Sequence, residues 1–240
     1  MDEGGVQVVG PGLPVAQRGW QQLGEALGIA EVFAQTGEVL EFLSVTDQFF
    51  LNLAMAYCKA AMDAAAEIKA GSVVTAMTRN GQMFGIRVSG LGDRWFTAPV
   101  NTPQGLFFTG YSQADANPDI GDSAITETYG IGGAAMIAAP GVTRFVGAGG
   151  MEAAQETSEE MGEIYLQHNP LLQIPSWNFQ GACLGLDIRR VVETGITPII
   201  NTGIAHKEAG IGQVGAGTVR APLACFEQAL EALADELGVS

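Results

Sequence analysis

Glycine is spread through the apolar part of this chain, and this distribution limits the folds that the chain can adopt. The 240 residues include 33 glycines, a share well above the roughly 7% of an average protein. They are interleaved with Ile, Val, Phe and Trp over residues 71–150 and 195–217, so they do not form a low-complexity linker. Because glycine permits tight turns and close contact between backbones, the pattern predicts short elements joined by tight turns.

Helices are predicted where apolar residues recur every three or four positions. This spacing is clearest from Phe49 to Ala65, with Thr46 or Asp47 as the cap and Gly71 at the end. A second helix is predicted from Met151 to Gln167, and a third from near Pro222, where a leucine stripe runs to Gly238. Residues 17–43 are predicted to be helical in pieces, broken near Gly28 and Gly37.

Strands are predicted where the period changes to two. Short runs rich in Val, Ile, Phe and Trp fill residues 72–109, and Asn80-Gly81 between two of them is a strong hairpin signal. Further strands are predicted over 184–188 and 198–202. Helices and hairpins without a regular alternation predict an α+β fold of mixed short strands and hairpins packed with three or more helices. We expect a helical, turn-rich segment over 1–43 and an α+β domain over 44–240.

Charge and hydropathy exclude several classes of partner. The net charge of −15 argues against binding to nucleic acid or an anionic membrane surface. No apolar run reaches the roughly 20 residues of a membrane-spanning helix, and the acidic start lacks the pattern of a signal peptide. The expected location is therefore the cytoplasm. Cys58, Cys183 and Cys225 are widely spaced in apolar surroundings, which predicts reduced, buried thiols.

The first segment that could carry chemistry is MTRNGQMFGIRVSGLGDRWFTAP, residues 77–99. It places Arg79, Arg87 and Arg94 close together in a chain with only 11 Lys and Arg in all. A guanidinium group suits carboxylate or phosphate binding. The alternative is that each arginine pairs with an acidic residue of this acidic protein. Asn80 is a candidate ligand contact, although a turn role is the simpler interpretation.

The second segment is the acidic stretch DANPDIGDSAITE, residues 115–127. Three interpretations stay open. Asp122 and Ser123 could cap a helix that begins at Ala124, the stretch could be a loop facing a ligand, or Asp119, Asp122 and Glu127 could hold Mg²⁺. The glycines of GIGG, residues 130–133, favour the ligand-facing loop, because bare backbone there could approach a bound group.

The third segment is NTGIAHKEAGIGQVGAGTVRAP, residues 201–222. Its glycines match GxGxxG, but they lie too far beyond the presumed strand for a dinucleotide fingerprint. An anion-binding loop is favoured, since His206, Lys207 and Arg220 flank the glycines. His206 is either a proton-transfer group or a hydrogen-bonded loop histidine. His168 is predicted to cap the C-terminus of the second helix.

Four long strings carry a resemblance to a known family. They are RNGQMFGIRVSGLGDRWFTAP, DANPDIGDSAITETYGIGG, VVETGITPIINTGIAHKEAGIGQVGAG and VRAPLACFE. With them the chain resembles the bacterial YlbE/YahG-type family, long catalogued as a domain of unknown function and encoded beside FdrA-like proteins. The resemblance runs from about Phe42 to Leu233 and covers what looks like the C-terminal half of the family's members.

The resemblance implies a role in purine-nitrogen catabolism and allantoin degradation. An AllG-like member of the family looks like a subunit of an oxamate carbamoyltransferase, which interconverts oxalurate plus phosphate with oxamate plus carbamoyl phosphate. Expected partners are a small anionic substrate and an FdrA-like subunit, with a homo-oligomer left open. The alternative is a non-catalytic module that stabilises the FdrA-like partner. Mg²⁺ is the one cofactor left open, and no residue is assigned as a metal ligand.

The motifs and the chemistry together give the candidate site residues. The catalytic candidates are His206, Asp122 and Glu127. The substrate-binding candidates are Arg79, Asn80, Arg87, Arg94, Asn117, Asp119, Ser123, Thr126, Asn201 and Arg220. The candidate glycine loops contain Gly132, Gly133, Gly210, Gly212 and Gly215.

Overall fold

The computed structural model of the protein describes residues 29–46, 48–147 and 149–239. The chain divides into two compact units, with the boundary between Phe50 and Leu51. Residues 1–28 of the predicted N-terminal segment lie outside the described residues, as does Asp47, one of the two predicted caps. The domain boundary expected at residues 43 and 44 stays a prediction.

The helices are short apart from the two at the start of the described chain and the one at its end. They are α1 Ile29–Val45, α2 Phe49–Ala66, α3 Ile125–Thr128, α4 Pro140–Phe145, α5 Met151–Gly162, α6 Ile188–Thr194 and α7 Leu223–Leu237, with 3-10 helices at Gln113–Asp115, Gly132–Ala138 and Pro175–Trp177.

The strands form three small antiparallel sheets. They are β1 Val74–Asn80, β2 Met83–Val88, β3 Phe96–Pro99, β4 Gln104–Phe107, β5 Ile120–Gly121, β6 Tyr165–Ile174, β7 Gln180–Leu186, β8 Ile199–Ala205 and β9 Gln213–Arg220. The sheets have the orders β3-β2-β1-β5, β4-β9-β8 and β6-β7. The predicted α+β fold is confirmed.

The β1–β2 hairpin confirms the turn predicted from Asn80-Gly81. Gly81 has a φ of +82°, which a residue without Cβ adopts at little cost. The Asn80 side-chain oxygen accepts hydrogen bonds from the backbone N–H groups of Gln82 and Met83 at 3.0 and 2.8 Å. These contacts are those of a turn residue, which was the simpler of the two interpretations of Asn80.

Opposite faces of this hairpin pack against different parts of the protein. Phe84 and Ile86 point into the main core, which also contains Phe226 of α7. Ala76 points to the other face and belongs to a smaller cluster with Cys58 and Met62 of α2 and with Ile125 and Tyr129. The sheet is thus a layer between the main core and α2.

Several predicted element boundaries were wrong. The helix that starts at Met151 ends at Gly162, and the sequence from Tyr165 onward is strand β6. His168 lies in that strand and its Nδ1 is 2.8 Å from the Gly181 carbonyl oxygen, so it caps no helix. Pro170 is accommodated because the β6–β7 register shifts between His168 and Gln173, and proline is tolerated at such irregularities.

The other differences concern helix ends. α1 continues through Gly37, and α2 ends at Ala66 before Gly71 is reached. β7 covers the first part of the predicted strand 184–188, but Ile188 begins α6, whose N-cap Asp187 accepts from the Arg189 N–H at 2.8 Å. The C-terminal helix was predicted correctly.

All three cysteines are free and buried, as the sequence predicted. Cys58 lies on α2, Cys183 on β7 and Cys225 on α7. Burial raises the pKa of each thiol to about 11, because a thiolate loses hydration in apolar surroundings.

Among the described residues, no single helix has the length and apolar character needed to cross a membrane. The segments 34–45 and 49–66 meet that test together only as a bent pair, by length and composition alone.

Candidate functional site

Strand β1 separates a buried polar network from an open groove. Arg79 points to one side of the strand and pairs with Phe84 across the hairpin, whereas Ala76 points to the other side and pairs with Arg87. Two of the predicted arginines therefore lie on opposite faces of one hairpin.

The buried side holds the Arg79 network, made of Arg79, Asp119, Ser123 and Thr202. Arg79 Nε donates to Asp119 Oδ2 at 2.6 Å, and its Nη2 donates to Ser123 Oγ at 3.0 Å and Thr202 Oγ1 at 3.1 Å. Thr202 Oγ1 donates to Asp119 Oδ1 at 2.7 Å. The side chains of Arg79 and Asp119 are 1% and 0% exposed, so a low-dielectric setting strengthens their attraction.

The network ties three parts of the chain together: β1, the loop that leads into α3, and β8. Arg79 Nη1 is buried and has no hydrogen-bond partner within the described residues. Gly121 lies beside it, where a Cβ would stand 3.7 Å from the guanidinium carbon. That distance is an ordinary van der Waals contact, so glycine is favoured at this position by its φ of +138° and not by a lack of space beside the guanidinium.

Glu127 adjoins this network and is 1% exposed. Its Oε1 accepts from the Gly133 N–H at 3.0 Å and from the Asn201 N–H at 3.4 Å, and its Oε2 accepts from Thr126 Oγ1 at 3.0 Å. Gly132, with a φ of +69°, is required next to it, because a Cβ there would overlap the carboxyl group. The predicted GIGG loop therefore wraps a buried carboxyl group.

Burial raises the pKa of Glu127 to about 7. The hydrogen bond from Gly133, the charge of Arg79 and the hydrogen bond from Thr126 favour the carboxylate and limit the rise. Glu127 thus changes charge near neutral pH.

The open side of β1 faces a groove of about 500 Å³, which we call the α2–β2 groove. It is lined by Asn52, Met55, Ala56, Lys59, Ala76, Met77, Thr78, Arg87, Trp95, Asp122 and Ile125. Two cationic side chains and one carboxylate are among these residues, within a chain of net charge −15. The lining therefore differs in charge from the protein as a whole.

Arg87 and Trp95 form one wall of the groove. The Arg87 guanidinium carbon lies 5.9 Å from the centre of the Trp95 ring, within the range of a cation–π contact. Gly85 provides the space for the indole, since a Cβ at Gly85 would be 3.1 Å from Trp95 Cε3. Arg87 also forms an ion pair with Asp93, whose side chain is 98% exposed.

Asp122 and Ser123 do not cap α3. The helix has a single turn and starts after Ala124, and no side chain forms a cap hydrogen bond. Instead, Asp122 lines the α2–β2 groove and Ser123 joins the Arg79 network. The capping interpretation was wrong, because two consecutive side chains of the loop point to different sides of β1.

Two other candidate arginines pair with carboxylates outside the network and the groove lining. Arg94 Nη2 lies 3.5 Å from Glu236 Oε2 on α7, and its guanidinium lies over Phe96. Arg220 donates to Glu160 at 2.5 Å and to the Thr197 carbonyl oxygen at 2.9 Å. Arg94 and Arg220 therefore each form an ion pair with a glutamate of the protein. For Arg94 this is the alternative given in the sequence analysis.

His206 lies at the end of β8, four residues beyond Thr202. Its Nδ1 accepts from the Glu208 N–H at 2.9 Å, and its Nε2 is 3.9 Å from Asp115 Oδ1. The ring packs edge-on against Tyr111. These contacts describe a hydrogen-bonded loop histidine, and the structure does not bring His206 into the Arg79 network.

The remaining candidates lie apart from the network. Asn117 Nδ2 donates to the Pro118 carbonyl oxygen at 2.7 Å. Gly210 and Gly212 occupy a turn with φ near +89° at both positions. Gly215 lies in β9, where a Cβ would overlap the Leu106 carbonyl oxygen on β4. Its role is close backbone approach within a sheet.

Asn201 stands on β8 beside Thr202. Its side-chain Nδ2 donates to Met136 Sδ at 3.4 Å, while its Oδ1 is buried without a hydrogen-bond partner among the described residues. Thr202, Trp95 and Gly85 are site residues that sequence reasoning missed. Strand alternation was the available signal for Gly85, which faces the same side of β2 as Arg87.

No group of three or more His, Cys, Asp or Glu side chains within the described ranges is arranged to hold a metal ion. Asp119, Asp122 and Glu127 do not converge, because Asp119 is paired with Arg79, Asp122 faces the groove and Glu127 is enclosed by the 126–133 loop.

Comparison with known proteins identifies relatives over most of the chain. A family model described as "Oxamate carbamoyltransferase subunit AllG" matches residues 21–123. The chain is 86% identical over 202 residues, 84% of its length, to oxamate carbamoyltransferase subunit AllG of Escherichia coli (strain K12). It is 51% identical over 205 residues, 85% of its length, to the uncharacterized protein YahG of the same organism. The chain spans about half the length of these relatives, 48% of AllG and 43% of YahG.

A solved structure has the same fold. It is the crystal structure of a conserved protein of unknown function from Enterococcus faecalis V583, with a TM-score of 0.82 and 46% sequence identity. The match covers 91% of this chain and 53% of that one.

Proposed function

The chain belongs to the AllG/YahG-type family, and from that premise we propose that it forms part of an oxamate carbamoyltransferase subunit. The observation that carries the proposal is the 86% identity to AllG over 202 residues. The chain spans 48% of that relative. We therefore propose that it contributes to the reaction as part of an assembly and does not catalyse it alone. The partner is an FdrA-like subunit.

The proposed reaction transfers a carbamoyl group between two nucleophiles. A phosphate oxygen attacks the carbamoyl carbon of oxalurate, and the bond from that carbon to the oxamate nitrogen breaks. The proton that hydrogen phosphate loses is transferred to that nitrogen, which gives oxamate and carbamoyl phosphate. The reactants are anions, so catalysis depends on positioning and on local positive charge.

The Arg79 network supports a positioning role in this reaction. Asp119 balances the charge of Arg79, and together with Thr202 the pair fixes the loop that carries Asp122 and Ser123. Glu127 holds the neighbouring glycine turn through the Gly133 N–H. A rigid scaffold of this kind keeps loop residues in one geometry for binding.

The direct test is reconstitution of the chain with the FdrA-like subunit. Oxalurate and phosphate are supplied, and carbamoyl phosphate is followed by phosphorus NMR. We expect carbamoyl phosphate and oxamate in equal amounts, and none when phosphate is left out. An assembled complex that forms neither product contradicts the proposal.

The same assay tests His206 as the proton-transfer group. A His206→Ala variant is expected to lose activity without losing assembly. Unchanged activity in that variant removes His206 from the mechanism and leaves the overall reaction in place.

A second candidate function is a non-catalytic module that stabilises the FdrA-like subunit. It is favoured by apolar side chains exposed on α2, where Leu53 is 54% exposed and Tyr57 is 58% exposed. This function predicts that the chain co-purifies with the partner while oxamate, oxalurate and phosphate leave its melting temperature unchanged. A saturable ligand-induced rise in melting temperature contradicts it.

A further inference from the structure

The α2–β2 groove has a side chain with unmet hydrogen-bonding capacity. Arg87 Nε is buried and has no hydrogen-bond partner among the described residues. Its Nη2 donates to the Gly92 carbonyl oxygen at 3.2 Å and to Asp93. A buried donor without a partner is unfavourable, and a ligand that supplies an acceptor removes that penalty.

The partner that Arg87 has is easily exchanged. Asp93 lies in the loop after β2, and its side chain is 98% exposed. Exposed ion pairs contribute little to stability, because water and salt screen them. A carboxylate entering the groove can therefore replace Asp93 on the guanidinium at small cost.

We propose that the α2–β2 groove binds a small planar carboxylate anion through Arg87. This inference rests on the proposed function, which supplies oxamate and oxalurate as members of that class. Arginine binds a carboxylate through two parallel N–H donors in one plane. In Arg87 these donors are Nε, which is buried without a partner among the described residues, and Nη2, which the ligand would take over from Asp93. The Trp95 ring, 5.9 Å from the guanidinium carbon, provides a cation–π contact on the same side chain.

Other residues of the lining have chemical groups that suit such a ligand. Lys59 lines the groove from α2, where it forms an exposed ion pair with Asp63. Asp122 also lines the groove, and its carboxylate is the kind of acceptor that the amide N–H groups of oxamate or oxalurate require. The volume of about 500 Å³ lies within the range of small-molecule sites, and Met77 and Ile125 give the groove an apolar part.

The test measures oxamate binding to the full chain at constant ionic strength. Tryptophan fluorescence and melting temperature are recorded against oxamate, with chloride as the control anion and phosphate in a parallel titration. Saturable binding of oxamate but not of chloride is expected. A response to phosphate that equals the response to oxamate overturns the carboxylate assignment, as does the absence of saturable oxamate binding.

Three variants separate this site from a general effect of charge. Arg87→Ala is expected to weaken oxamate binding at least about tenfold, since it removes a charge-assisted pair of donors. Asp93→Asn is expected to strengthen binding by up to about fivefold, since it removes the competing carboxylate. Arg144→Ala removes the same charge from an exposed residue of α4 outside the groove lining, and it should bind as the parent does.

The outcomes distinguish the site from the proposed function. If Arg87→Ala binds oxamate as tightly as the parent, or if Arg144→Ala loses as much affinity as Arg87→Ala, the site is overturned whatever the assembly does. If oxamate binds as described but the reconstituted assembly makes no carbamoyl phosphate, the site stands and the proposed reaction fails. A melting temperature of Arg87→Ala close to that of the parent excludes unfolding as the cause.

Discussion

Arg79 and Arg87 belong to the same hairpin and have opposite environments. Arg79 is 1% exposed and its charge is balanced by a fully buried Asp119. Arg87 is 24% exposed and its partner Asp93 is almost completely in water. The difference teaches that the buried arginine stabilises the fold, whereas the arginine with an exposed partner is able to exchange that partner for a ligand.

The largest expected effect comes from breaking the buried pair. Arg79→Ala leaves Asp119 as a buried charge without its partner, which should lower the free energy of unfolding by about 3–5 kcal/mol. Urea denaturation measures the change. Arg94→Ala, which breaks an exposed pair with Glu236, should cost less than about 1 kcal/mol. Equal losses in the two variants would remove the distinction between buried and exposed pairs.

The next effect is a pH dependence on the buried side of the hairpin. The pKa of Glu127 is raised from 4.5 to about 7 in the folded protein, so folding favours the protonated carboxyl group. The contribution of Glu127 to the free energy of unfolding is fully present below pH 4.5 and is lost as the pH rises through about 7. The loss should be on the order of 3 kcal/mol.

This pH dependence is measured against Glu127→Gln, which cannot titrate. Between about pH 5 and pH 8 the unfolding free energy of the parent should fall relative to that of Glu127→Gln. Because the other titrating groups are common to both proteins, their contributions cancel. A difference that does not change with pH contradicts the assigned protonation.

A smaller effect is expected on the groove side, from Gly85→Ala. The added Cβ would lie 3.1 Å from the Trp95 ring, and moving the ring should cost about 1 kcal/mol. The emission of Trp95 should change as the ring shifts away from Arg87. Gly141→Ala is the matched control, because a Cβ there meets open space. Identical emission spectra for Gly85→Ala and the parent would contradict the contact.

The smallest expected effect is that of Asp93→Asn on stability. This variant should keep the unfolding free energy within about 0.5 kcal/mol of the parent, because the pair with Arg87 is exposed on the Asp93 side. Thermal denaturation measures it. A loss well above 1 kcal/mol would mean that Asp93 anchors Arg87, and the contrast between the two arginines would then be smaller.

Local chemistry determined the parts of the fold that the sequence predicted correctly. The Asn80 turn and the apolar stripe of α7 depend on neighbouring residues, so their patterns were sufficient. The error over 163–167 has the opposite cause. Those residues follow a helix and continue its composition, but Tyr165 onward pairs with β7, and such pairing between distant residues leaves no local pattern.

The site was predictable only in part for the same reason. A ligand-facing loop was one of the interpretations of the stretch that contains Asp119, Ser123 and Glu127; the structure groups these three residues around Arg79 in a buried network, and none of them lines the α2–β2 groove. Thr202 reaches the cluster from 123 residues away in sequence, and no motif marks it. The grouping of Arg79, Arg87, Arg94 and Arg220 rested on residue type alone, which cannot distinguish a buried pair from an exposed one.

The three buried cysteines can serve as probes of local unfolding, because their thiols become accessible only when the surrounding structure opens. Each of the three thiols lies on a different element, and burial with a pKa of about 11 makes it unreactive in the native state. A thiol reagent can modify Cys58, Cys183 or Cys225 only after α2, β7 or α7 has moved away. Variants that keep one cysteine at a time would therefore record, element by element, the order in which the protein comes apart.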